Sequence, residues 1–445
     1  MNKRRFSTLF ASCALLAAAA QEPAPGTPWT LDDCIEYALR NNPDVQQQSL
    51  QVEQQDNELS TARFSRLPDL NASLGYNASF GRSPGDDNTY QTQTLQTGSF
   101  DVSASMPLFQ GLRINRTIRG GKLDLAAAVQ DLERAREDLS VNVMTLFLQV
   151  LYNREMVAIA ERQLALSRRQ TERSRELFAA GKQSESAVYE SEALAANDAL
   201  TLTQARNDLR LALLDLSQAL NRESAAGFDI AQPSLDALLD RALSPLPGTA
   251  ETLYDFAAEH RPRIRAERLR LESSENAVRI ARSALYPTIA LRGGYGTGIY
   301  SSMNQDFWPQ FRHNSSEFVG VSMSIPIFNR RATRNNIRTA QIAVRRQQLT
   351  LLAAEQALRK QIEQAWYAAD AADAKYRSAT AALASAETAF AYEQQKADAG
   401  RSTVFDFNDA KTRLERAASE LAQSRFELVF RRKILDFYRG EPLRL

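Results

Sequence analysis

The chain switches between two hydrophobic periods, and the switches recur. From Leu70, apolar residues alternate with polar ones: Leu70, Ala72, Leu74, Tyr76, Ala78 and Phe80 share one face, and Asn71, Ser73, Gly75, Asn77 and Ser79 the other. A period of two predicts a strand with one apolar and one polar face. The polar stretch Gly81 to Ser99, with Pro84, Gly85, Asp86, Asp87 and Asn88, predicts a loop. Alternation then resumes, with Phe100, Val102, Ala104, Met106 and Leu108 set against Asp101, Ser103, Ser105 and Pro107. The same hairpin pattern returns as Ile289, Leu291, Tyr295 and Ile299, then Val319, Val321, Met323, Ile325 and Ile327. Each strand is about 12 residues long, close to the roughly 9–11 that a membrane strand requires.

Around the hairpins the period is helical. Leu31 to Arg40 predicts a short helix that stops near Asn41-Asn42, and a second helix ends by Leu67 because Pro68 disfavours a helical residue before it. Leu125, Val129, Leu132, Arg136, Leu139, Val143, Leu146 and Val150 alternate four and three apart, a coiled-coil seam with one arginine interruption. No proline interrupts Gly111 to Gly181 or Asn329 to Gly400. Each stretch predicts a helical rod of roughly 100 Å at 1.5 Å per residue. Gly120-Gly121 is the expected weak point of the first rod. Gly181 and Gly400 are the expected reversals, each followed by a return helix.

These features form two copies offset by 219 residues without a gap. Pro43, Pro68 and Pro107 meet Pro262, Pro287 and Pro326; Gly181 meets Gly400; Leu202, Leu209 and Leu216 meet Leu421, Leu428 and Leu435. Proline and glycine constrain backbone geometry, so the coincidence predicts one structural unit used twice. The expected organisation is a first repeat over 29–222 with its hairpin at 68–109, an unrepeated segment at 223–250, and a second repeat over 251–440 with its hairpin at 287–328. The unrepeated segment holds Phe228-Asp229-Ile230 and a short helical pattern from Leu235 to Leu243, expected to pack on the outside of the rods.

The beginning of the chain reads as a signal peptide over 1–20: Lys3, Arg4 and Arg5, an apolar run from Leu9, then Ala18-Ala19-Ala20 before Gln21. Cys13 lies inside that run with only Phe6 to Ser12 ahead of it, a short lead for lipid attachment. Cys34 would then stand alone, so no intrachain disulfide is expected, and it reads as a small buried side chain. Cleavage removes three cations and moves the formal charge from +1 to −2. Near-neutrality argues against nucleic acid as a partner. No later run reaches 18 uninterrupted apolar residues, so no transmembrane helix is expected.

Four strands cannot close a membrane barrel, because the smallest such barrels use eight. An open sheet in lipid leaves edge N–H and C=O groups unpaired, at several kcal/mol each. Strands from several chains must therefore share one barrel, and three chains supply twelve. The competing reading is a soluble periplasmic coiled-coil scaffold whose hairpins pack on a partner.

At this point the chain resembles the outer-membrane efflux proteins of the TolC type, from about Leu31 to Gly440. The resemblance is carried by Met106-Pro107-Leu108-Phe109-Gln110-Gly111-Leu112-Arg113, its echo Ile325-Pro326-Ile327-Phe328, and Ala399-Gly400-Arg401-Ser402-Thr403-Val404-Phe405-Asp406. It implies a mainly α fold with membrane β: a homotrimer with a 12-stranded outer-membrane β-barrel continued by a 12-helix periplasmic α-barrel, with 223–250 in an equatorial belt. It also implies a passive exit duct for drug efflux or type I secretion in a Gram-negative outer membrane, in contact with its lipid. The partners implied are a periplasmic adaptor and an inner-membrane RND or ABC transporter.

No enzyme motif, metal cluster or cofactor-binding loop stands out, and the two histidines, His260 and His313, read as a helix-end residue and a loop residue. Asp406 and Asp409 lie three apart on a helix and share a face. In a trimer they would stack two carboxylate rings that attract cations; the resemblance implies a tunnel constriction there. Thr403-x-x-Asp406 equally matches a capping box. Ala187 and Glu190 occupy the equivalent places in the first copy. The resemblance makes the helix-turn tips, Gly181 with Lys182 and Gly400 with Arg401, the adaptor contacts. Ser402 and Ala187 stand where the family's gate pairs an arginine with an acid, so this chain departs from that latch.

Overall fold

Helix boundaries in the structure recur at the interval seen in the sequence. The computed structural model describes residues 28–84, 89–246, 248–301, 306–399 and 401–444; the signal-peptide reading and Cys13 lie outside them. In the first copy the helices are α1 (Leu31–Asn41), α2 (Pro43–Phe64), α3 (Arg113–Ala179) and α4 (Glu185–Ala219). After α5 (Leu235–Ala242), the second copy brings α6 (Ala250–His260), α7 (Pro262–Ser283), α9 (Ala332–Asp398) and α10 (Val404–Tyr438). Arg113 and Ala332, the first residues of the two 67-residue helices, lie 219 positions apart, as do the first residues of the other three helix pairs. Even unusual backbone repeats at this interval. Gly111 and Leu112 have φ of 60° and 63°, and Arg330 and Arg331 have 53° and 67°.

The strands are β1 (Asp69–Pro84), β2 (Tyr90–Gln110), β3 (Thr288–Tyr300) and β4 (Ser316–Ser324), with the short helix α8 (Phe307–His313) between the last two. They form one antiparallel sheet in the order β1-β2-β3-β4. The register keeps the alternation in phase: Leu74 faces Phe100, which faces Thr297, and Ala72 faces Val102, which faces Tyr295. One face therefore gathers most of the apolar side chains of the strands.

The sheet corrects the expected hairpins in three places. Most of the stretch from Gly81 to Ser99 is strand, because Gly81 to Pro84 pair with Gln93 to Tyr90 and polar side chains do not prevent backbone pairing. A register shift between Pro107 and Phe109 sets Phe109, not Leu108, opposite Ile289; a bulge of this kind turns the next side chain to the other face. Finally, β4 stops at Ser324, opposite Thr288 where β3 begins, so Ile325 and Ile327 fall outside it and are exposed.

The chain divides into two compact units. One comprises the described residues up to Gln46, Ala135–Ala257 and those from Lys360 onward. Its core gathers Trp29, Leu31 and Cys34 with Val143, Met144, Phe147, Leu148, Val150 and Leu151 of α3, and Leu216, Ile230, Leu239 and Leu428. Full burial of one such aliphatic or aromatic side chain stabilises by about 1.5–3 kcal/mol. The buried stripe of α3 is wider than the expected seam: Met144, Phe147 and Leu148 join it, while Val129 and Arg136 of the seam are exposed. A stretch of α3 is long and apolar enough to cross a membrane by composition, yet half of it is buried in protein. Burial also pushes the Cys34 thiol up to about 12, which keeps it an unreactive core residue. The segment after Arg222 belongs here: Trp29 and Ile230 form a parallel bridge, Arg222 lies over the Trp29 and Phe228 rings, and Leu238, Leu239 and Ala242 of α5 join the core with Val429 of α10.

The other unit, Gln47–Arg134 and Ala258–Arg359, carries the sheet and its adjoining helices. Here α3 continues unbroken through Gly120-Gly121. A side chain at Gly120 would come within 3.2 Å of Asn276 Nδ2, and one at Gly121 within 3.3 Å of Leu59. The glycine pair serves close helix packing, which relieves the expected weak point. Asn276 Nδ2 donates to the Arg116 carbonyl at 2.7 Å and Arg119 pairs with Glu272 at 2.7 Å.

Candidate channel constriction and helix-turn tips

The first long helix ends in the turn its glycine predicts. At the first tip Gly181 has φ of 64°, its N–H donates to the Phe178 carbonyl at 2.9 Å, and the Lys182 N–H donates to the Leu177 carbonyl at 2.9 Å. This paired arrangement is a Schellman motif, which satisfies the last carbonyls of a helix. Lys182 is exposed. At the second tip the Arg401 N–H donates to the Lys396 carbonyl at 2.8 Å, and Arg401 is also exposed; Gly400 lies outside the described residues.

The second tip is the more heavily bonded. Ser402 Oγ donates to Glu393, whose other oxygen pairs with Lys396 at 2.9 Å. The Ser402 hydroxyl, then Lys396, hold the Glu393 carboxyl below its ordinary value. Thr403 caps α10: its Oγ1 accepts from the Asp406 N–H at 3.1 Å and donates to Asp406 Oδ2 at 2.7 Å. The expected reciprocal arm, from the Asp406 carboxylate to the Thr403 N–H, is replaced by this contact to the hydroxyl. Asp409 is exposed and pairs with Arg413 at 2.7 Å. Asp406 is likewise exposed, so both carboxylates sit on accessible surface one helical turn from the tip. In the first copy Ala187 is buried and Glu190 exposed.

What ties the two helical hairpins together was not visible in the sequence. Arg173 of α3 pairs with Asp398 at the end of α9 at 2.7 Å and donates to its carbonyl at 2.6 Å. Deeper in the same unit, Lys411 of α10 is buried and its Nζ reaches Ser167 Oγ of α3 at 2.5 Å, Asp198 Oδ2 of α4 at 2.5 Å and Glu415 at 3.0 Å. Ser167 also donates to Asp198. In sequence, Lys411 and Glu415 look like a solvated i, i+4 pair; only their apposition to residues more than 200 positions away reveals a buried network. Among the described residues, no group of three or more His, Cys, Asp or Glu is placed to hold a metal.

A sheet of long antiparallel strands with one exposed apolar face, in a chain with repeated pairs of long helices, defines an outer-membrane channel fold. The sequence matches the outer membrane efflux protein family over residues 34–222 and 253–435, and the chain belongs to that family. Among its relatives, the outer membrane efflux protein BepC of Brucella suis is 22% identical over 95% of this chain and 87% of its own length. The outer membrane protein TolC of Vibrio cholerae is 22% identical over 93% of this chain and 92% of its own. The fold matches the crystal structure of the outer membrane protein VceC from Vibrio cholerae with a TM-score of 0.77 at 17% identity, covering 93% of this chain and 96% of that one. The chain is thus an efflux and export channel of the Gram-negative outer membrane, in a family of transport proteins.

Proposed function

We propose that three copies of the chain assemble into an exit duct: twelve strands close a β-barrel in the outer membrane and twelve long helices form a periplasmic tunnel. The duct is passive. It receives cargo from an inner-membrane RND or ABC transporter through a periplasmic adaptor that contacts the tips at Gly181, Lys182, Gly400 and Arg401. The Vibrio cholerae relative TolC matches 93% of this chain over 92% of its own length, which supports the reading.

The observation that carries the assembly is an unfinished strand. β2 runs on to Gln110 because β3 supports it as far as Thr288. β4 stops at Ser324, where its single partner β3 begins. The strand equivalent to β3 in the first copy is β1, whose outer edge is unpaired in the sheet order β1-β2-β3-β4. A second chain's β1 is therefore the natural support for Ile325 to Phe328. The adjoining junction agrees. Gly111 lies against Ser283 and Tyr286 at the end of α7, whereas at the equivalent end of α2 Phe64 is 64% and Leu67 55% exposed. Unpaired edges cost several kcal/mol per group in lipid, so closure by like subunits is strongly favoured.

Within the duct, Asp406 and Asp409 form two stacked rings of three carboxylates that make a cation-sensitive constriction. Capping α10 leaves this role open to Asp406, because its carboxylate stays accessible. The test is single-channel recording on purified protein of measured mass, with a trivalent cation added on the periplasmic side. A trimer whose current is blocked, with block lost in D406A/D409A, is expected. Unchanged block removes the constriction; a monomeric protein soluble without detergent removes the duct.

A further inference from the structure

The two hairpins treat their outer ends differently. In the first, β1 and β2 stay paired through Pro84 and Tyr90. In the second, β4 begins at Ser316, opposite Gly296, so the end of β3 keeps β2 on one side and has no described strand on the other. Helix α8 takes that place. Gln310 Oε1 accepts from the Tyr300 N–H at 2.8 Å, Asn314 Nδ2 donates to the Gly298 carbonyl at 2.7 Å, and Thr297 Oγ1 donates to the Phe311 carbonyl at 2.7 Å. Side chains of and beside α8 thus satisfy backbone groups that the missing strand would have bonded.

The face on which α8 sits identifies its surroundings. Thr297 lies in register with Phe100 and Leu74, and the Phe311 ring lies 6.4 Å from that of Phe100. This is the apolar face of the sheet. Phe311 is the inner member of an aromatic cluster, 6.1 Å from Phe307 and 6.2 Å from Trp308. The outer members point away: Phe307 is 53% and Trp308 67% exposed. From Leu70 to Phe80 the apolar face of β1 covers 11 residues, and a membrane strand needs about 9–11. Phe80 and Tyr90 are exposed aromatics at the end of that span, and α8 adds Phe307 and Trp308 at the same end of the sheet. Arg312 is exposed and supplies a cation suited to a phosphate headgroup.

We propose that the Phe307–Trp308 face of α8 is a lipid-anchoring surface, seated in the headgroup–acyl boundary of the leaflet that meets the hairpin loops. The proposal rests on the barrel reading above. Aromatic rings with a polar handle prefer that depth, since an indole buries its body and keeps its N–H near water. The helix replaces strand pairing inside the sheet and an aromatic girdle outside it.

The test uses the intact protein in phosphatidylcholine vesicles containing lipids brominated near the glycerol, at mid-chain or near the methyl end, with single-channel currents recorded from the same vesicles. In W29F/W366F, where Trp308 is the remaining indole, bromine near the glycerol should remove roughly half or more of the emission, with less loss from deeper bromine and little from aqueous iodide. If the double variant does not fold, W308F in the otherwise unchanged chain should lose the glycerol-quenchable share of emission that the unsubstituted protein shows. A conducting channel whose Trp308 is quenched by iodide and not by lipid overturns the anchor alone. Deepest quenching at the methyl end also overturns it. Vesicles that neither conduct nor show lipid quenching overturn the barrel reading, and the anchor with it.

Discussion

The two repeats agree in backbone and disagree in what they bury. Their paired helices start 219 residues apart, and both strand-to-helix junctions use two consecutive residues of positive φ. At the positions of Lys411, Asp198 and Ser167, however, the other copy has Glu192, Ala417 and Ala386. Glu192 is half-buried and pairs with Arg175 at 2.6 Å, while Lys411 is buried among three polar partners. A duplicated scaffold thus keeps its helix starts and helix lengths, and this difference falls where one copy packs on the other. The ionic tie is a device of the pair, absent from either copy by itself.

Breaking that tie is the largest available perturbation. K411M leaves Asp198 buried without its cation, and losing one partner of a buried ion pair costs about 3–5 kcal/mol. Denaturant unfolding of the detergent-solubilised protein should show this loss, and K411M/D198L/S167A should recover most of it, because an apolar replacement removes the stranded charge. If the triple variant is no better than K411M, desolvation is not the governing cost.

The junctions sharpen the comparison at intermediate size. Gly111 has φ of 60°, and a side chain there would approach the Ser283 carbonyl at 2.7 Å. G111A should destabilise by at least the roughly 1–2 kcal/mol that a left-handed L-residue costs. Arg330, the equivalent residue, already bears that cost at φ of 53°. R330G should therefore stabilise by up to about 1 kcal/mol in the same assay. A G111A loss larger than the R330G gain would separate steric packing from backbone strain, and equal and opposite effects would leave backbone strain alone.

The smallest effect is a pH slope. Burial raises the Glu415 carboxyl above its ordinary value of 4.5, and Lys411 only partly offsets this. The folded state binds its proton more tightly than the unfolded state does. Its contribution to stability is therefore fully present below the ordinary value and is lost as pH rises through the raised folded value. E415Q should flatten the stability profile over that window and leave the profile elsewhere parallel to that of the unsubstituted protein. Ala196 occupies this place in the first copy, so no matching slope arises there.

The helices, the turns and the doubling were readable because they follow from local rules. Proline suits the first turn of a helix and disrupts its interior, glycine accepts the left-handed turn at Gly181, and a period of two or of seven declares the shape of the backbone. The strands at Leu70 and Phe100 were legible for the same reason, and so were Asp406 and Thr403 at the start of α10. Other features needed partners far away in the chain. The polar end of β2 is strand because β1 pairs with it, Phe109 takes over from Leu108 because of a bulge against β3, and α8 exists where β4 is missing. Lys411 looks like any exposed heptad lysine until Ser167 and Asp198 close around it. Sequence by itself determined which segments are rods, which are staves and that each is used twice, since those depend on neighbours a few residues apart. Only the tertiary structure decided which side chains lose their water, because burial depends on what the rest of the chain brings alongside.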